Sequence, residues 1–331
     1  RRPCEAGRTS AYLSSMRAMD TIAWLLDSDP SIRWQVLRDL AGASDETVTA
    51  ERDRVATEGW GAHLLDLQGP DGTWDGGVYR PGWAQEDRPF FDAWTATHFV
   101  LQQLVDFGVD PQHPRAIEAV SHVRDHVRWD HAGEPYFDGE TEPCINGVVL
   151  SAAAYFGLDG SRVAATLAGD RLADGAWNCW AGYGARVSSF HSTICAVEGL
   201  GAWLATGRAD DAAADALCTG EEYLLERRLF RRLSTGAVAD PRMTLLSSPV
   251  RWFHDILRGL EHFRGVDRRD PRLQEAVELL RSKADADGRW NLENRHEGPV
   301  WLDFGDNEGM PSRWLTLRAL RVLRWWDAAP E

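Results

Sequence analysis

The chain has 331 residues, of which 44% are apolar and 26% charged, and its formal net charge at neutral pH is −15. This composition is typical of a globular protein with a sizeable core, and its acidic balance argues against binding to nucleic-acid phosphates or to an anionic membrane surface. No apolar run approaches the roughly 20 residues that a membrane-spanning helix needs. The five cysteines are odd in number and scattered, which does not suggest a disulfide framework, so we interpret the protein as cytoplasmic.

Regular hydrophobic patterning starts near residue 16, and the preceding residues lack the apolar core of a signal peptide. We therefore interpret residues 1–15 as a disordered or cloning-derived leader. Residues 16–331 are expected to form a single domain, because a closed array of repeats of this length counts as one.

Apolar residues at helical spacing, punctuated by Gly and Pro, predict twelve helices and no convincing strand. In chain order the predicted helices are 20–26, 32–40, 47–67, 91–107, 114–127, 143–156, 161–172, 189–205, 211–230, 250–263, 271–284 and 312–326. Alternating short and long connections group them into six antiparallel pairs. Six pairs predict an all-α fold, a closed α/α toroid with the first helices in an outer ring and the second helices in an inner ring. An open solenoid is the alternative.

Three phrases of the form Asp-Gly-x-Trp recur at nearly equal spacing, at 71–74, 174–177 and 287–290. Asp-Gly suits a turn, because Gly adopts positive φ and Asp hydrogen-bonds the nearby backbone. The Trp supplies a large plate that packs between neighbouring helices. We interpret the phrases as structural markers that define the helix pairs, with any chemistry in the loops beside them.

The segment 64–74, which reads LLDLQGPDGTW, resembles the Gln-Trp repeat of squalene and hopene cyclases. The second and third phrases keep Gly-x-Trp but lack the Gln. This resemblance implies the superfamily of terpenoid cyclases and protein prenyltransferases, which adopts the α/α toroid. It further implies an enzyme that acts on a small apolar or isoprenoid-like substrate in a central cavity. The Asp-x-Asp-Asp acid motif of class II cyclases is absent, so a polyene cyclase that uses this acid is not supported.

Cys144, Cys179 and His191 lie beside predicted inner-helix starts in neighbouring repeats. Thiolate and imidazole are ligands that zinc prefers, and three protein ligands leave a fourth position open for catalysis. The resemblance implies the same use, because protein prenyltransferases hold zinc with Asp, Cys and His, and lanthipeptide cyclases hold it with two Cys and one His. We therefore expect Zn²⁺ at these three residues, with His254 or Glu142 as a further ligand. The alternative is ordinary core packing, because a spacing this wide has no specificity as a motif.

A second set of polar residues near the same helix starts provides candidate acids and bases. Neighbouring carboxylates can have divergent pKa values and act as acid and base. In a chain this acidic, solvated loop acids are the alternative. The candidate catalytic residues are Glu142, His254, Asp255, Asp303 and Asp306, with Glu308 in the same loop as the last two. The candidate substrate-lining residues are Asp92, Trp94, Trp180, Trp252 and Trp314, for which hydrophobic packing is the alternative.

These patterns favour a zinc-dependent enzyme with a small-molecule substrate in the central cavity. One alternative is a metal-free acid–base enzyme on a carbohydrate-like substrate. Another is a binding module without catalytic activity.

Overall fold

The computed structural model describes residues 19–84 and 93–328, and within these ranges it contains helices and no strand. Residues 19–26 form the first helix, α1. The helices that follow are α2 (Pro30–Val36), α3 (Asp45–Asp53), α4 (Gly59–Asp66), α5 (Thr97–Phe107), α6 (Pro114–His126), α7 (Pro143–Tyr155), α8 (Ser161–Gly169), α9 (Phe190–Ala205), α10 (Asp211–Glu226), α11 (Ile256–Gly265), α12 (Gln274–Ser282) and α13 (Arg313–Asp327). The all-α prediction is confirmed. The leader predicted at residues 1–15 lies outside the described residues.

The predicted helix 47–67 is two helices, α3 and α4, separated by a 3₁₀ turn at Arg54–Ala56. Asp29 explains where the second one begins. One oxygen of this carboxylate accepts the backbone N–H of Ser31 at 2.8 Å, and the other accepts that of Trp60 at 2.8 Å. Asp29 therefore caps the first turns of α2 and α4 together, which sets the break in the predicted helix.

The helices predicted for the inner ring contact one another in chain order. Successive contacts join α5 to α7, α7 to α9, α9 to α11 and α11 to α13, and α13 in turn contacts α2. The Trp34 indole of α2 donates to the Phe107 carbonyl of α5 at 2.8 Å, which completes the circuit. A toroid would have its inner helices in contact in this order, and the closed toroid stays a prediction. None of the described helices is both long enough and apolar enough to cross a bilayer.

The starts of the inner helices lie together at one end of this circuit, which we call the mouth. Cys144 in the first turn of α7 contacts Cys179, shortly before α9. His254, before α11, donates its backbone N–H to His191 in α9. The Trp94 indole, before α5, donates to the carbonyl of Glu297, in the loop before α13, at 2.7 Å. Loops from distant parts of the sequence therefore meet at the mouth.

The three Asp-Gly-x-Trp phrases adopt the same structure. Each indole N–H donates to the carbonyl of the residue ten positions earlier, in outer helices α4, α8 and α12, at 2.7–2.8 Å. Each Trp backbone N–H donates to a Thr hydroxyl in the first turn of the next inner helix, at 3.0–3.4 Å. The glycine of each phrase has a φ of 74–88°, which Gly adopts without strain. The Trp side chains are buried. Through its indole and its backbone N–H, each Trp residue joins the end of an outer helix to the start of the next inner one.

Replacing Trp177 with Phe tests this link. The change leaves the buried Leu167 carbonyl without a donor and shrinks a side chain that has no exposed surface. We expect the free energy of unfolding to fall by about 2–3 kcal/mol in urea titrations.

Trp180→Phe is the matched control, because this indole is 64% exposed, and we expect a change within about 0.5 kcal/mol. Equal losses in the two variants would show that the indole hydrogen bond contributes nothing to stability.

Candidate functional site

Two cysteines and a glutamate converge at the mouth. Glu142 is the residue that precedes α7, Cys144 lies in the first turn of α7, and Cys179 follows the second phrase. The two sulfur atoms are 2.7 Å apart, and the Cys144 sulfur is 3.7 Å from Glu142 Oε2. All three possible ligand atoms lie within 4.8 Å of one another. The structure therefore brings together two of the three predicted metal ligands with Glu142, which was expected as a catalytic residue or as a further ligand.

Close packing of α7 on α9 places this cluster. Gly147 of α7 faces the α9 backbone, where a Cβ atom would lie only 2.0 Å from the Cys195 carbonyl oxygen. On the α9 side, the Ser192 hydroxyl accepts the Cys179 backbone N–H at 3.0 Å and donates to the Cys179 sulfur at 3.2 Å. The glycine contact sets the position of Cys144, and the serine sets that of Cys179.

The cluster is partly shielded from solvent, which affects its protonation. The hydrogen bond with Cys179, together with burial, raises the pKa of the Cys144 thiol well above its usual value. Burial also raises the pKa of the Glu142 carboxyl. Cys179 and Glu142 are only half-buried, so the cluster can be reached from the mouth.

His191, the third predicted metal ligand, lies outside this cluster. Its Nδ1 accepts the His254 backbone N–H at 2.8 Å, and its ring packs edge-on against Trp252 and Phe253. On a helix, consecutive side chains point about 100° apart, so the residue after it, Ser192, faces Cys179 while His191 faces the next loop. It lines a separate mouth cavity of about 260 Å³.

His254 and Asp255 have partners that position α11. His254 is buried, its Nε2 lies 2.7 Å from the Leu229 carbonyl oxygen, and burial lowers its pKa to about 3. Asp255 accepts the backbone N–H groups of Arg258 and Ser247 at 2.8 and 3.0 Å and so caps the helix. These contacts describe a structural role for two predicted catalytic residues.

The acids of the last loop also have local partners. Asp306 accepts the hydroxyl of Ser312, the residue that caps α13, and burial raises the Asp306 pKa. Asp303 accepts the Gly305 backbone N–H at 2.9 Å. Both carboxylates line a cavity of only about 30 Å³, which leaves little room for a substrate between them.

The predicted substrate-lining residues separate into different environments. Trp314 lines the central cavity and stacks on Phe107 with ring centroids 5.7 Å apart. Trp94 is buried at the edge of the mouth cavity, and Trp252 is half-buried against Phe253. Trp180 is exposed on a surface loop and does not line the central cavity or the mouth cavity. Asp92 lies outside the described residues.

A central cavity of about 310 Å³ is lined by Trp314 and by residues that the sequence analysis did not identify. The cavity lies among α5, α7, α9, α11 and α13, and it combines an aromatic wall with charged side chains. The charged residues are Asp106, Glu198, Arg258, Glu261, Arg264, Arg318 and Arg321. Charges in the middle of otherwise apolar inner helices were the sequence signal that could have revealed it.

Most of these charges are paired. Arg258 forms two hydrogen bonds to Glu198, at 2.6 and 2.9 Å. Although burial alone would raise the Glu261 pKa, Arg321 and Arg264 hold it at about 2. These pairs satisfy buried ionic groups that would otherwise destabilise the fold.

Asp106 and Arg318 are the two whose side chains make no hydrogen bond within the described ranges. No ion pair with a described residue reaches the Asp106 carboxylate either, and this side chain is open to the cavity. The surrounding protein still desolvates the carboxyl and raises its pKa to about 6. The Arg318 guanidinium makes no hydrogen bond within the described ranges, and its nearest carboxylate oxygen, on Glu261, is 3.6 Å away.

Neither a protein-family model nor a curated protein matches the chain. The resemblance to the Gln-Trp repeat thus stays an inference from residues 64–74. In that segment the Gln68 amide donates to the carbonyls of Gly72 and Ala119, each at 2.9 Å. Gln68 therefore ties its own turn to outer helix α6, a contact that the other two phrases cannot make because they lack the Gln.

Replacing Asp106 with Asn tests the elevated pKa of this carboxyl. The folded state keeps a proton that the unfolded state releases at lower pH, so wild-type stability falls as pH rises through about 6. Asn cannot ionise, so we expect Asp106→Asn to gain stability relative to wild type between about pH 4 and about pH 8. Arg318, Arg258 and Arg321 oppose this shift, and Glu198 adds to it.

Thermal unfolding of both proteins across this pH range measures the effect. Asp53→Asn, at an exposed position on α3, is the matched control and is expected to show no such trend. A difference between Asp106→Asn and wild type that is constant with pH would contradict the elevated pKa.

Proposed function

We propose that the chain is an enzyme that holds a zinc ion through Glu142, Cys144 and Cys179 at the mouth of the helical ring. One observation carries the proposal. Two thiols 35 positions apart in sequence and a carboxylate lie with their possible ligand atoms within 4.8 Å of one another. Core packing alone gives no reason for a half-buried carboxylate beside two thiols.

The donor set suits a thiophilic ion. Magnesium and calcium prefer all-oxygen sites, whereas thiolate sulfur together with a carboxylate favours zinc. Three protein ligands leave one coordination position for water or substrate, as in catalytic zinc sites. Zinc bound there would supply a Lewis acid, or would hold an attacking thiolate or water.

The chain's own residues would orient and enclose this centre. The Ser192 hydroxyl, 3.2 Å from the Cys179 sulfur, restrains one ligand and is itself buried. The resemblance to terpenoid cyclases suggests an apolar or isoprenoid-like substrate for this centre. The substrate class remains part of the proposal.

The two alternatives have less support. The acid–base mechanism relied on Asp303, Asp306, Glu308 or His254, and each of these side chains contacts a group that holds the chain in place. A pure scaffold would be expected to fill its centre with side chains, whereas the inner helices surround a cavity of about 310 Å³. Both features favour an enzyme with a small-molecule ligand.

Metal analysis tests the proposal on protein purified under reducing conditions without a chelator. We expect about one equivalent of zinc per chain, falling below about a tenth in Cys144→Ser and in Cys179→Ser. Cys218→Ser is the matched control, because this thiol is exposed on α10, and it is expected to retain full zinc content. His191→Ala is also expected to retain the metal, which separates the ligand set proposed here from the one that the sequence suggested.

Zinc below about a tenth of an equivalent in the wild type would overturn the proposal. A count of free thiols in the denatured, non-reduced protein would then show whether the two cysteines are free or bonded to each other. Loss of the Cys144 and Cys179 thiols in a parallel preparation made without reductant would identify the pair as a disulfide instead.

A further inference from the structure

We propose that the central cavity binds a small organic carboxylate that also bears a hydroxyl or amino group. This site is separate from the metal centre, because none of the three proposed ligands lines the cavity. Its volume of about 310 Å³ is at the lower end of the range for small-molecule sites. The size and chemistry of the ligand follow from the groups that the protein leaves unpaired.

The charges of the cavity wall are not equally well paired. Four arginines and three acidic residues line the cavity. Glu198 is occupied by Arg258 through two hydrogen bonds. Glu261 accepts from Arg264 and Arg321, whereas Arg318 reaches this carboxylate only as an ion pair at 3.6 Å, without a hydrogen bond among the described residues. An anionic ligand would give Arg318 a hydrogen-bonded partner.

Arg318 favours a carboxylate in particular. Its guanidinium offers a planar fork of donors that fits the two oxygens of a carboxylate. The nearest carboxylate oxygen, Glu261 Oε2 at 3.6 Å, is beyond hydrogen-bonding distance and already accepts from Arg321. The Arg318 side chain is only 16% exposed, so most of its surface is shielded from bulk solvent. A bound carboxylate would therefore gain a charge-assisted hydrogen bond in a shielded setting.

The Asp106 carboxylate is the reason to expect a second polar group on the ligand. Its carboxylate faces the same cavity from α5 and accepts no hydrogen bond from the described residues. Since this side chain is open to the cavity, a hydroxyl or ammonium group of the ligand would donate to it in place of water. Phe107, stacked on Trp314 beside it, offers a flat apolar surface for a hydrocarbon or aromatic substituent. A wholly apolar ligand would shield both charged groups without satisfying either one.

Binding of mandelate, which combines a phenyl ring, a hydroxyl and a carboxylate, is measured by isothermal titration calorimetry. We expect saturable binding at one site per chain. Phenylacetate lacks the hydroxyl and mandelamide lacks the charge, and each is expected to bind at least about fivefold more weakly.

Variants assign this binding to the cavity. Arg318→Gln is expected to weaken mandelate binding at least about tenfold, and Arg318→Lys to weaken it less, because Lys keeps the charge but loses the fork. Asp106→Asn should reduce the preference for mandelate over phenylacetate. Arg186→Gln, at an exposed loop position, is the matched control and is expected to bind like wild type.

The proposal is overturned if mandelate, L-lactate and L-phenylalanine all fail to bind at concentrations up to about 10 mM. It is also overturned if Arg318→Gln and Arg318→Lys, with circular dichroism spectra like that of wild type, bind mandelate unchanged. Mandelate binding is expected to persist in Cys144→Ser. Failure of the metal centre and failure of this site are therefore distinguishable.

Discussion

The hydrogen bond from a buried indole N–H to the end of an outer helix is the contact on which the fold most depends. The last turn of a helix leaves carbonyl groups without intrahelical donors, and a buried one must find a partner. The indoles of Trp74, Trp177 and Trp290 each donate to such a carbonyl, and the carbonyls of Leu64 and Leu280 also accept a backbone N–H three residues on. The backbone N–H of each Trp at the same time donates to a threonine of the next inner helix, so one residue links two helices whose relative position would otherwise depend on the loop.

The proposed metal site inherits its geometry from this link. Cys179 is two residues beyond Trp177, so the buried indole fixes the chain just before the sulfur. On the other side, Gly147 allows α7 to approach the α9 backbone, which no larger residue would permit. The cluster therefore sits between two rigid elements, as a site that must hold ligands at defined distances requires.

The central cavity has an aromatic part and a charged part. An aromatic surface around Phe107 and Trp314 lies beside a set of arginines and acids from several inner helices. Charges inside a protein are costly unless they are paired, and most of these are. Asp106 is open to the cavity and Arg318 reaches Glu261 only at 3.6 Å, so the side chains of both remain available for a hydrogen bond to a ligand.

The amino-acid sequence by itself determined the helical class, because hydrophobic spacing and Gly-Pro punctuation are local signals that survive without tertiary information. It also indicated Cys144 and Cys179, since both lie beside recognisable helix starts. It could not choose Glu142 over His191, because the direction of a side chain at a helix start depends on rotation of the helix about its axis, set here by packing of α7 on α9. Nor could it assemble the cavity, because Asp106 and Arg318 are distant in the chain and only the circuit of inner helices makes them neighbours.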